Sequence, residues 1–312
     1  MVLNKKNISI VLGWIITILI LVYIVSKLDF SQFLEHLKKV SYFDLFVLTI
    51  IYLIGFVIRG VRTKIMLPSL NFKQALGGIF LGYAANNVLP ARLGEVLRAQ
   101  VIGKHSNISR STTLSNILVE RILDGVAIVI LLFWGSMALS LPSWANKLKY
   151  VGLAIFTVAI LGLFLINFLN LKYKFKFPNN FPGNFLKNFL EGFRLSMKTP
   201  KTFIYVLFIS IFIWTFEALI FYYGLVIFDL PKSFHLACFV LGTVNLAALV
   251  PSSPGAVGLF EGTAIKTLEI FGVSMPLALA YSSVVHACQL IPVIFIGIGF
   301  MKYFGLKSLK IS

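Results

Sequence analysis

The sequence predicts an all-α polytopic membrane protein, with about six full spans and two re-entrant helical hairpins in an inverted-repeat arrangement. Of the 312 residues, 58% are hydrophobic and 12% are charged, whereas a soluble domain is about 45–50% apolar and about 25% charged. Apolar runs of about 20 residues recur, which is the length that crosses a hydrocarbon core of about 30 Å. Two further segments, 75–105 and 235–272, are interrupted by proline and glycine and match each other in order.

Six runs are long enough to span a bilayer. They cover approximately residues 8–26, 43–66, 111–139, 150–169, 202–228 and 275–301. No sizeable polar segment separates them, so residues 1–312 are expected to form a single membrane domain. The first run follows Lys5 and Lys6, is too long for a signal peptide and precedes no small-residue cleavage site. We therefore expect it to be retained as a span.

The basic residues predict orientation rather than nucleic-acid binding. The net charge is +17, but the lysines and arginines lie in short loops between apolar runs. This distribution is typical of positive-inside topology and of contacts with anionic lipid head groups, and it offers no soluble basic face for nucleic acid. With six spans, the N-terminus, the 170–201 connection and the C-terminal tail fall on one side. Both termini are therefore predicted to be cytoplasmic, in the cell (inner or plasma) membrane, although the basic 27–42 loop departs from the rule.

The 170–201 connection is predicted to be a cytoplasmic amphipathic linker. Its sequence "NFLKNFLEGFRLSMK" places Phe185, Phe189 and Phe193 on one helical face and Lys187 and Arg194 away from its centre, which is typical of an interfacial helix. The linker is interpreted either as a tether between two halves or as a functional gate. The two cysteines lie in apolar segments and predict packing, not a disulfide framework, so no metal or cofactor is expected.

The two interrupted segments are predicted to be re-entrant hairpins. Each begins with an apolar stretch of about 15 residues, too short to cross comfortably. The first breaks at "NNVLPARLGE" and the second at "LVPSSPGAVGLFEG". Irregular backbone at membrane depth is tolerated only where it is buried in protein or lines a wet cavity. The residues expected to shape the breaks are Pro90, Gly94, Pro254, Gly255 and Gly258.

The two hairpins also belong to an internal repeat. Phe72 corresponds to Phe234 and Gly82 to Gly242, offsets of 162 and 160 residues. The first repeat covers about 43–139 and the second about 202–301, and the predicted topology inverts one relative to the other. Inverted repeats with discontinuous helices are typical of many secondary transporters, whose binding site lies at the repeat interface. The alternative is two independently glycine-rich helix pairs.

Charged residues lie in and just after the first break. Arg92, Glu95 and Arg98 share a helix face at i, i+3 spacing, so Glu95 is able to pair with either arginine. Half-helix ends favour anions, and guanidinium groups hold phosphate through paired hydrogen bonds. Arg92 and Arg98 are therefore predicted to hold a phosphate. Arg59 and Arg62, in the second span, are instead expected to extend their side chains to the interface, and the alternative for them is contact with the substrate.

The span after the first hairpin carries a polar stripe. Thr112, Asn116, Glu120 and Asp124 recur every fourth residue, with Arg121 beside them, and this face should point to the protein interior. Glu95, Glu120 and Asp124 are expected to neutralise the arginines of an empty site or to engage a cationic head group. A purely structural ion-pair cluster is the alternative.

The second repeat carries a milder, mostly neutral stripe. An offset of 165 places His286 opposite Arg121 and Gln289 opposite Asp124, and Glu261 follows the second break. His286 is interpreted either as a proton carrier or as a hydrogen-bonded helix contact. The predicted substrate-binding residues are Arg92, Glu95, Arg98, Glu120, Arg121, Asp124, Glu261 and His286.

Three motifs then carry a family resemblance. P-x-R-x-G-E spans 90–95, E-R-x-x-D spans 120–124 and S-P-G-x-x-G-x-x-E spans 253–261. Together they resemble the lysylphosphatidylglycerol synthase transmembrane region, a flippase-like family, over nearly the whole chain. The resemblance implies translocation of a lipid such as a phospholipid or aminoacyl-phosphatidylglycerol. We expect a standalone member without the soluble aminoacyl-transferase domain.

The expected function is translocation or binding of a phosphate-bearing membrane lipid, whose head group enters a polar cavity between the two hairpins. No Walker loop, zinc-binding helix or nucleophile elbow occurs in the sequence, so no enzyme activity is predicted, and movement would be facilitated or ion-coupled. The alternatives are an enzyme or accessory subunit acting on polyprenyl-phosphate-linked sugars, or a non-transporting partner of a separate lipid synthase. The expected partners are membrane lipids with anionic head groups, and a homo-oligomer is left open.

Overall fold

The computed structural model describes a chain whose regular structure is helical throughout the described residues. These are residues 5–89, 93–106, 108–143, 146–147, 150–155, 157–158, 161–162, 165, 181–196, 200–250 and 252–306. The helices with defined bounds are α1 (Lys5–Lys27), α2 (Phe30–Lys38), α3 (Tyr42–Met66), α4 (Phe72–Val88), α5 (Gly94–His105), α6 (Arg110–Met137), α7 (Phe181–Ser196), α8 (Pro200–Ile227), α9 (Phe234–Ala247), α10 (Leu259–Glu269) and α11 (Met275–Tyr303). The predicted all-α class is confirmed for this part of the chain.

Three helices are long and apolar enough to cross a membrane, namely α3, α8 and α11. A fourth span results if α1 and α2, which meet at an angle of 93°, are counted together. Helix α6 coincides with the predicted span 111–139, but three charged residues lie near its middle and reduce its hydropathy. The predicted span 150–169 lies largely outside the described residues. Within the described residues the structure thus supports a polytopic membrane protein with three or four candidate apolar spans, and the number of six spans stays a prediction.

Helix α2 occupies the segment predicted to be the 27–42 loop. Asp29 caps the helix, and its carboxylate accepts a hydrogen bond of 3.1 Å from the backbone N–H of Gln32. Capping of this kind satisfies backbone donors that a helix start leaves unpaired. The nine-residue helix was missed because its apolar run is short.

Helices α4 and α5 form an antiparallel pair. Gln74 Nε2 donates to the carbonyl of His105 at one end (2.9 Å), and the N–H of Gly94 donates to the Asn86 side chain at the other (2.8 Å). Between these ends, a Cβ on Gly82 would lie 3.2 Å from Cβ of Arg98. Gly94 is required at the start of α5, because a Cβ there would collide with the carbonyl oxygen of Gly82. The pair is therefore closely packed along its length.

The second interrupted segment consists of α9, a 3₁₀ turn at Pro254–Ala256 and α10. Gly255 and Gly258 have φ angles of 66° and 82°, in the left-handed region that glycine adopts without steric cost. The hydroxyls of Thr243 and Thr267 are hydrogen-bonded at 3.0 Å between α9 and α10. The backbone therefore leaves the α-helical path within the stretch where the sequence predicts the second break.

Helices α3 and α8 pack against each other in opposite directions. At one end Tyr223 donates a hydrogen bond of 2.8 Å to Asp44, near the start of α3. Towards the other end Arg62 donates one of 2.8 Å to Ser210, in the first half of α8. The two helices are therefore antiparallel, because the start of α3 contacts the later part of α8 and the end of α3 contacts its earlier part.

Each short helix that precedes a break packs on the long helix of the other half. Helix α4 runs antiparallel to α11, with Gly77 against Phe300 and Gly297 against Ala84. Helix α9 runs antiparallel to α6 in the same manner, with Gly135 against the backbone of His235. Small residues at such contacts let two backbones approach closely, which is how helices associate in membranes.

The second break contacts the end of α4, just before the first break, at half-buried residues. A Cβ on Gly255 would lie 3.4 Å from the carbonyl oxygen of Asn87, near the end of α4, and 2.9 Å from the Leu290 side chain, in the middle of α11. On the other side, the backbone N–H of Ser253 donates to Thr17 Oγ1 of α1 (3.2 Å). The second break, whose turn at 254–256 is half-buried, therefore has contacts with α1, α4 and α11.

Helix α7 lies within the predicted linker 170–201 and packs against α6. A Cβ on Gly192 would lie 2.7 Å from Cα of Thr112. Leu190 is buried against the protein, whereas Lys187 is exposed. The described part of the linker is thus a helix docked on the first half of the molecule.

Candidate functional site

A network of eight charged side chains lies between α3, α5, α6 and α8, and we call it the charged network. Its four arginines are Arg59, Arg62, Arg98 and Arg121, and its four acids are Glu95, Glu120, Asp124 and Glu217. Six of these side chains are buried, whereas those of Arg121 and Glu95 are 37% and 24% exposed. Buried charges are tolerated only when paired and hydrogen-bonded, so the equal numbers of positive and negative groups are physically required.

Arg98 is held by Glu120. Its Nη1 and Nη2 atoms donate to the two carboxylate oxygens of Glu120 at 2.7 and 3.1 Å. Thr63 closes the arrangement, because its hydroxyl donates to Glu120 (2.6 Å) and accepts from Arg98 Nη2 (2.9 Å). A paired contact of this kind is the geometry with which a guanidinium also binds phosphate. The acid thus occupies the position that an anionic ligand would take on Arg98.

Arg59 and Arg62 do not extend to the interface as predicted. They are 3% and 2% exposed; Arg59 pairs with Glu217, and Arg62 pairs with Asp124 while its Nη2 lies 3.9 Å from Glu120. The prediction is wrong because α8 and α6 supply acids in the interior, which removes the energetic reason to extend outwards.

Glu95 pairs with Arg121 and not with Arg98. Its Oε1 accepts from Arg121 Nη2 and from Asn86 Nδ2, both at 3.0 Å. Arg121 also donates to the Tyr83 hydroxyl (2.9 Å), and its guanidinium lies 4.9 Å from the centre of that ring. These are the more exposed members of the charged network, so they are the members that a ligand can reach first.

A second, smaller pair lies beside the other break. Glu261 Oε1 lies 2.7 Å from His286 Nδ1, and Glu261 Oε2 accepts from the backbone N–H of Gly258 at 2.6 Å. The Phe260 ring stacks on the His286 ring at 4.1 Å. Glu261 and His286 follow Glu95 and Arg121 by 166 and 165 residues, and each acid lies in the first turn of the helix after its break. The two halves therefore hold equivalent acid–base pairs, one with arginine and one with histidine.

The polar stripes predicted on α6 and α11 face the interior. Asn116, Glu120 and Asp124 are buried on α6, and Ser282, His286 and Gln289 are buried on α11. Two of the predicted residues, Pro90 and Arg92, lie outside the described residues. Pro254, Gly255 and Gly258 lie in the turn that contacts the end of α4.

Sequence reasoning missed several neutral partners of the charged network, namely Thr63, Tyr83, Asn86, Ser210 and Trp214. Their side chains contact the charges from three different helices. Only Thr63 carried a sequence signal, since it lies one turn after Arg59 on the same helical face. Within the described part of the chain, no cluster of His, Cys, Asp and Glu has the geometry to hold a metal ion.

The apolar spans and the interior charged network together define a polytopic helical membrane protein with a polar centre. Residues 10–297 match the family described as lysylphosphatidylglycerol synthase TM region, and the chain belongs to that family. The resemblance seen in the motifs is therefore confirmed.

Two relatives illustrate the range of proteins similar to this chain. A "UPF0104 membrane protein" from Methanothermobacter thermautotrophicus is 22% identical over 326 residues, covering 97% of this chain and 96% of that protein. "Glycosyltransferase AglD" from Haloferax volcanii is 28% identical over 123 residues. That match covers 38% of this chain and 20% of AglD, so most of AglD has no counterpart in it.

Proposed function

We propose that this protein binds and translocates a phosphate-bearing membrane lipid of the phospholipid or aminoacyl-phosphatidylglycerol class. The observation that carries the proposal is the charged network, with four buried or half-buried arginines beside the place where the two interrupted segments meet. An arginine at the centre of a bilayer is costly and marks a functional site by default. Lipid head groups supply the anion that such a site suits, while the acyl chains remain in the bilayer.

The proposed membrane arrangement is an inverted repeat with two re-entrant hairpins, α4–α5 and α9–α10. Corresponding helices of the two halves, α3 and α8, run antiparallel. In the repeat α4 corresponds to α9, and α6 corresponds to α11. The contact of α4 with α11 therefore corresponds to the contact of α9 with α6. Repeats related by an axis along the membrane normal would place corresponding helices parallel, so the antiparallel pairing supports inversion.

Cysteine labelling tests this arrangement. Ser69 and Gly272 are exposed residues at the open ends of the two hairpins, and single cysteines there should react with a membrane-impermeant maleimide from opposite sides. With cytoplasmic termini, the cysteine at 69 should label from the cytoplasmic side. Labelling of both from one side would refute the inverted arrangement.

In the absence of lipid, the acids of the charged network neutralise its arginines, so the buried charges remain paired. Glu120 holds Arg98 through two contacts, and a phosphate can offer the same pair of oxygens. Arg121 and Glu95, which are the more exposed pair, would meet the head group first. The proposal involves no covalent step, and movement down a gradient needs no nucleotide. An aminoacylated lipid would be supplied by a separate lipid-modifying synthase.

Reconstitution tests the function directly. Purified protein in vesicles with fluorescent phosphatidylglycerol should speed exchange between leaflets, measured as the fraction of probe reduced by external dithionite. Arg121→Gln should abolish most of this activity, because it removes the accessible guanidinium. Lys73→Gln is the matched control, since Lys73 is exposed and lies over the Tyr303 ring outside the charged network. Absence of protein-dependent movement for any phospholipid or polyprenyl phosphate would refute the proposal.

A second candidate function rests on the match to a protein named as a glycosyltransferase. In that case the chain would act on, or assist an enzyme acting on, polyprenyl-phosphate-linked sugars. Polyprenyl phosphates carry the same anionic group, so the charged network would bind them equally well. Formation of a covalently changed lipid in the vesicle assay, detected by mass spectrometry, separates this candidate from movement of intact lipid.

A further inference from the structure

Arg59 is surrounded by aromatic rings in the interior of the protein. Its Cζ atom lies 5.3 Å from the centre of the Trp214 ring, 5.6 Å from that of Phe56 and 5.9 Å from that of Tyr83. The rings come from α3, α4 and α8, and Glu217 is the acid that pairs with Arg59. Cation–π contacts stabilise the guanidinium at these distances, but they do not use its N–H donors.

Three buried donors around this position have no acceptor among the described residues. They are Nε and Nη1 of Arg59 and Nε1 of Trp214. Arg59 is 3% exposed and Trp214 is 6% exposed. An unsatisfied buried donor costs about 1–3 kcal/mol, and the bilayer supplies no water to compensate. Among the described residues no unmatched buried acceptor accompanies these donors, so the position suits a ligand group that bears acceptors.

The position is connected to the accessible part of the charged network through Tyr83. One Tyr83 ring contacts both guanidiniums, with Cζ of Arg121 at 4.9 Å and Cζ of Arg59 at 5.9 Å. Tyr83 is half-buried, and the Arg121 side chain is 37% exposed. The partly exposed Arg121 and the buried Arg59 therefore contact the same aromatic side chain.

We propose that Arg59 and Trp214 form an inner subsite for phosphate oxygens. Nε and Nη1 lie on different edges of the guanidinium plane, so a single acceptor atom cannot satisfy both. A phosphate carries several acceptor oxygens directed differently and matches donors arranged in this way. The inference rests on the proposed function and deepens it: the lipid phosphate is bound first at Arg121 and then at Arg59, with Tyr83 between the two positions.

Trp214 provides a probe within the subsite. The other tryptophans, Trp14, Trp134 and Trp144, are replaced by phenylalanine, and the protein is embedded in nanodiscs. Emission from Trp214 is followed during titration with sn-glycerol 1-phosphate, inorganic phosphate and glycerol. A saturable change with glycerol phosphate and none with glycerol is expected. A stronger response to glycerol phosphate than to inorganic phosphate identifies the lipid head group as the source.

Arg59→Lys tests the role of the guanidinium. The lysine keeps a positive charge for Glu217 but loses the Nε and Nη1 donors, so the apparent Kd for glycerol phosphate should rise about tenfold, equal to about 1.4 kcal/mol. Lys73→Gln should leave the Kd unchanged. A thermal unfolding midpoint for each variant shows that it is folded. Trp214→Phe, assayed by calorimetry, supplies a second variant, which keeps an aromatic side chain but lacks the indole N–H donor.

The results of the lipid exchange assay and of the Trp214 titration test the proposed function and the inner subsite separately. Lipid exchange that depends on Arg121, together with no response at Trp214, overturns the subsite and leaves the proposed function intact. Equal responses to glycerol and glycerol phosphate also overturn it, because the donors would then serve water or a neutral hydroxyl. Loss of both the exchange and the Trp214 response overturns both proposals.

Discussion

The Arg98–Glu120 pair offers a direct measurement of how strongly the charged network holds the fold together. Both residues are 4% exposed, and two N–H···O contacts join their side chains. We consider Arg98→Gln, Glu120→Gln and the double variant. Each single change leaves one uncompensated charge in the interior, whereas the double change leaves a neutral pair of amides.

The structure sets the expected magnitudes. Breaking a buried pair by removing one partner costs about 3–5 kcal/mol, so each single variant should lose about that much free energy of unfolding. Residues in direct contact couple by about 0.5–3 kcal/mol. Because two charge-assisted contacts are involved, the double variant should lose less than the sum of the single losses by about 2–3 kcal/mol. Thr63→Val removes the bridging hydroxyl without changing any charge and should cost about 1–3 kcal/mol.

The assay is reversible unfolding in mixed detergent micelles, followed by tryptophan fluorescence. Free energies extrapolated to zero denaturant give the four corners of the cycle, and Lys73→Gln serves as the exposed control. If the losses of the two single variants add to within about 0.5 kcal/mol, Arg98 and Glu120 do not act as a pair. The geometric reasoning for the charged network would then fail.

Two further predictions concern helix packing. Gly297→Ala should lower the free energy of unfolding by about 1–3 kcal/mol, because its Cβ would collide with Ala84 across the α4–α11 contact. In the same unfolding assay the control Gly299→Ala, whose Cβ would meet nothing within 4 Å, should be neutral or slightly stabilising, and equal effects of the two changes would contradict the packing. In a background with Cys238 and Cys288 replaced by serine, Gly13→Cys with Ser252→Cys should form a disulfide on mild oxidation, because a Cβ on Gly13 would lie 3.0–3.2 Å from the backbone of Ser252. A mobility shift on gel electrophoresis detects the disulfide, and failure to cross-link would place the second break away from α1.

The helices were largely predictable because their signals are local. Runs of apolar residues predict α3, α8 and α11 to within about two residues of their observed bounds. The breaks were predictable because proline and glycine act on their own backbone; Gly255 and Gly258 adopt positive φ angles within the predicted stretch. Helix α2 escaped prediction because nine residues carry too short a pattern.

The sequence by itself determined which residues are polar in an apolar setting and which helical face each one occupies. Spacing of three and four residues placed Glu120 and Asp124 on one interior face of α6, and the observed burial agrees. Only the tertiary structure decided the partners. Glu95 contacts Arg121 rather than Arg98, and Arg59 is buried against Glu217, which lies 158 residues away in the chain. The helical face on which a side chain lies depends only on its position in its own helix. Its partner depends on which helices pack together and in which direction. The packing of the helices is determined by contacts spread over the whole molecule.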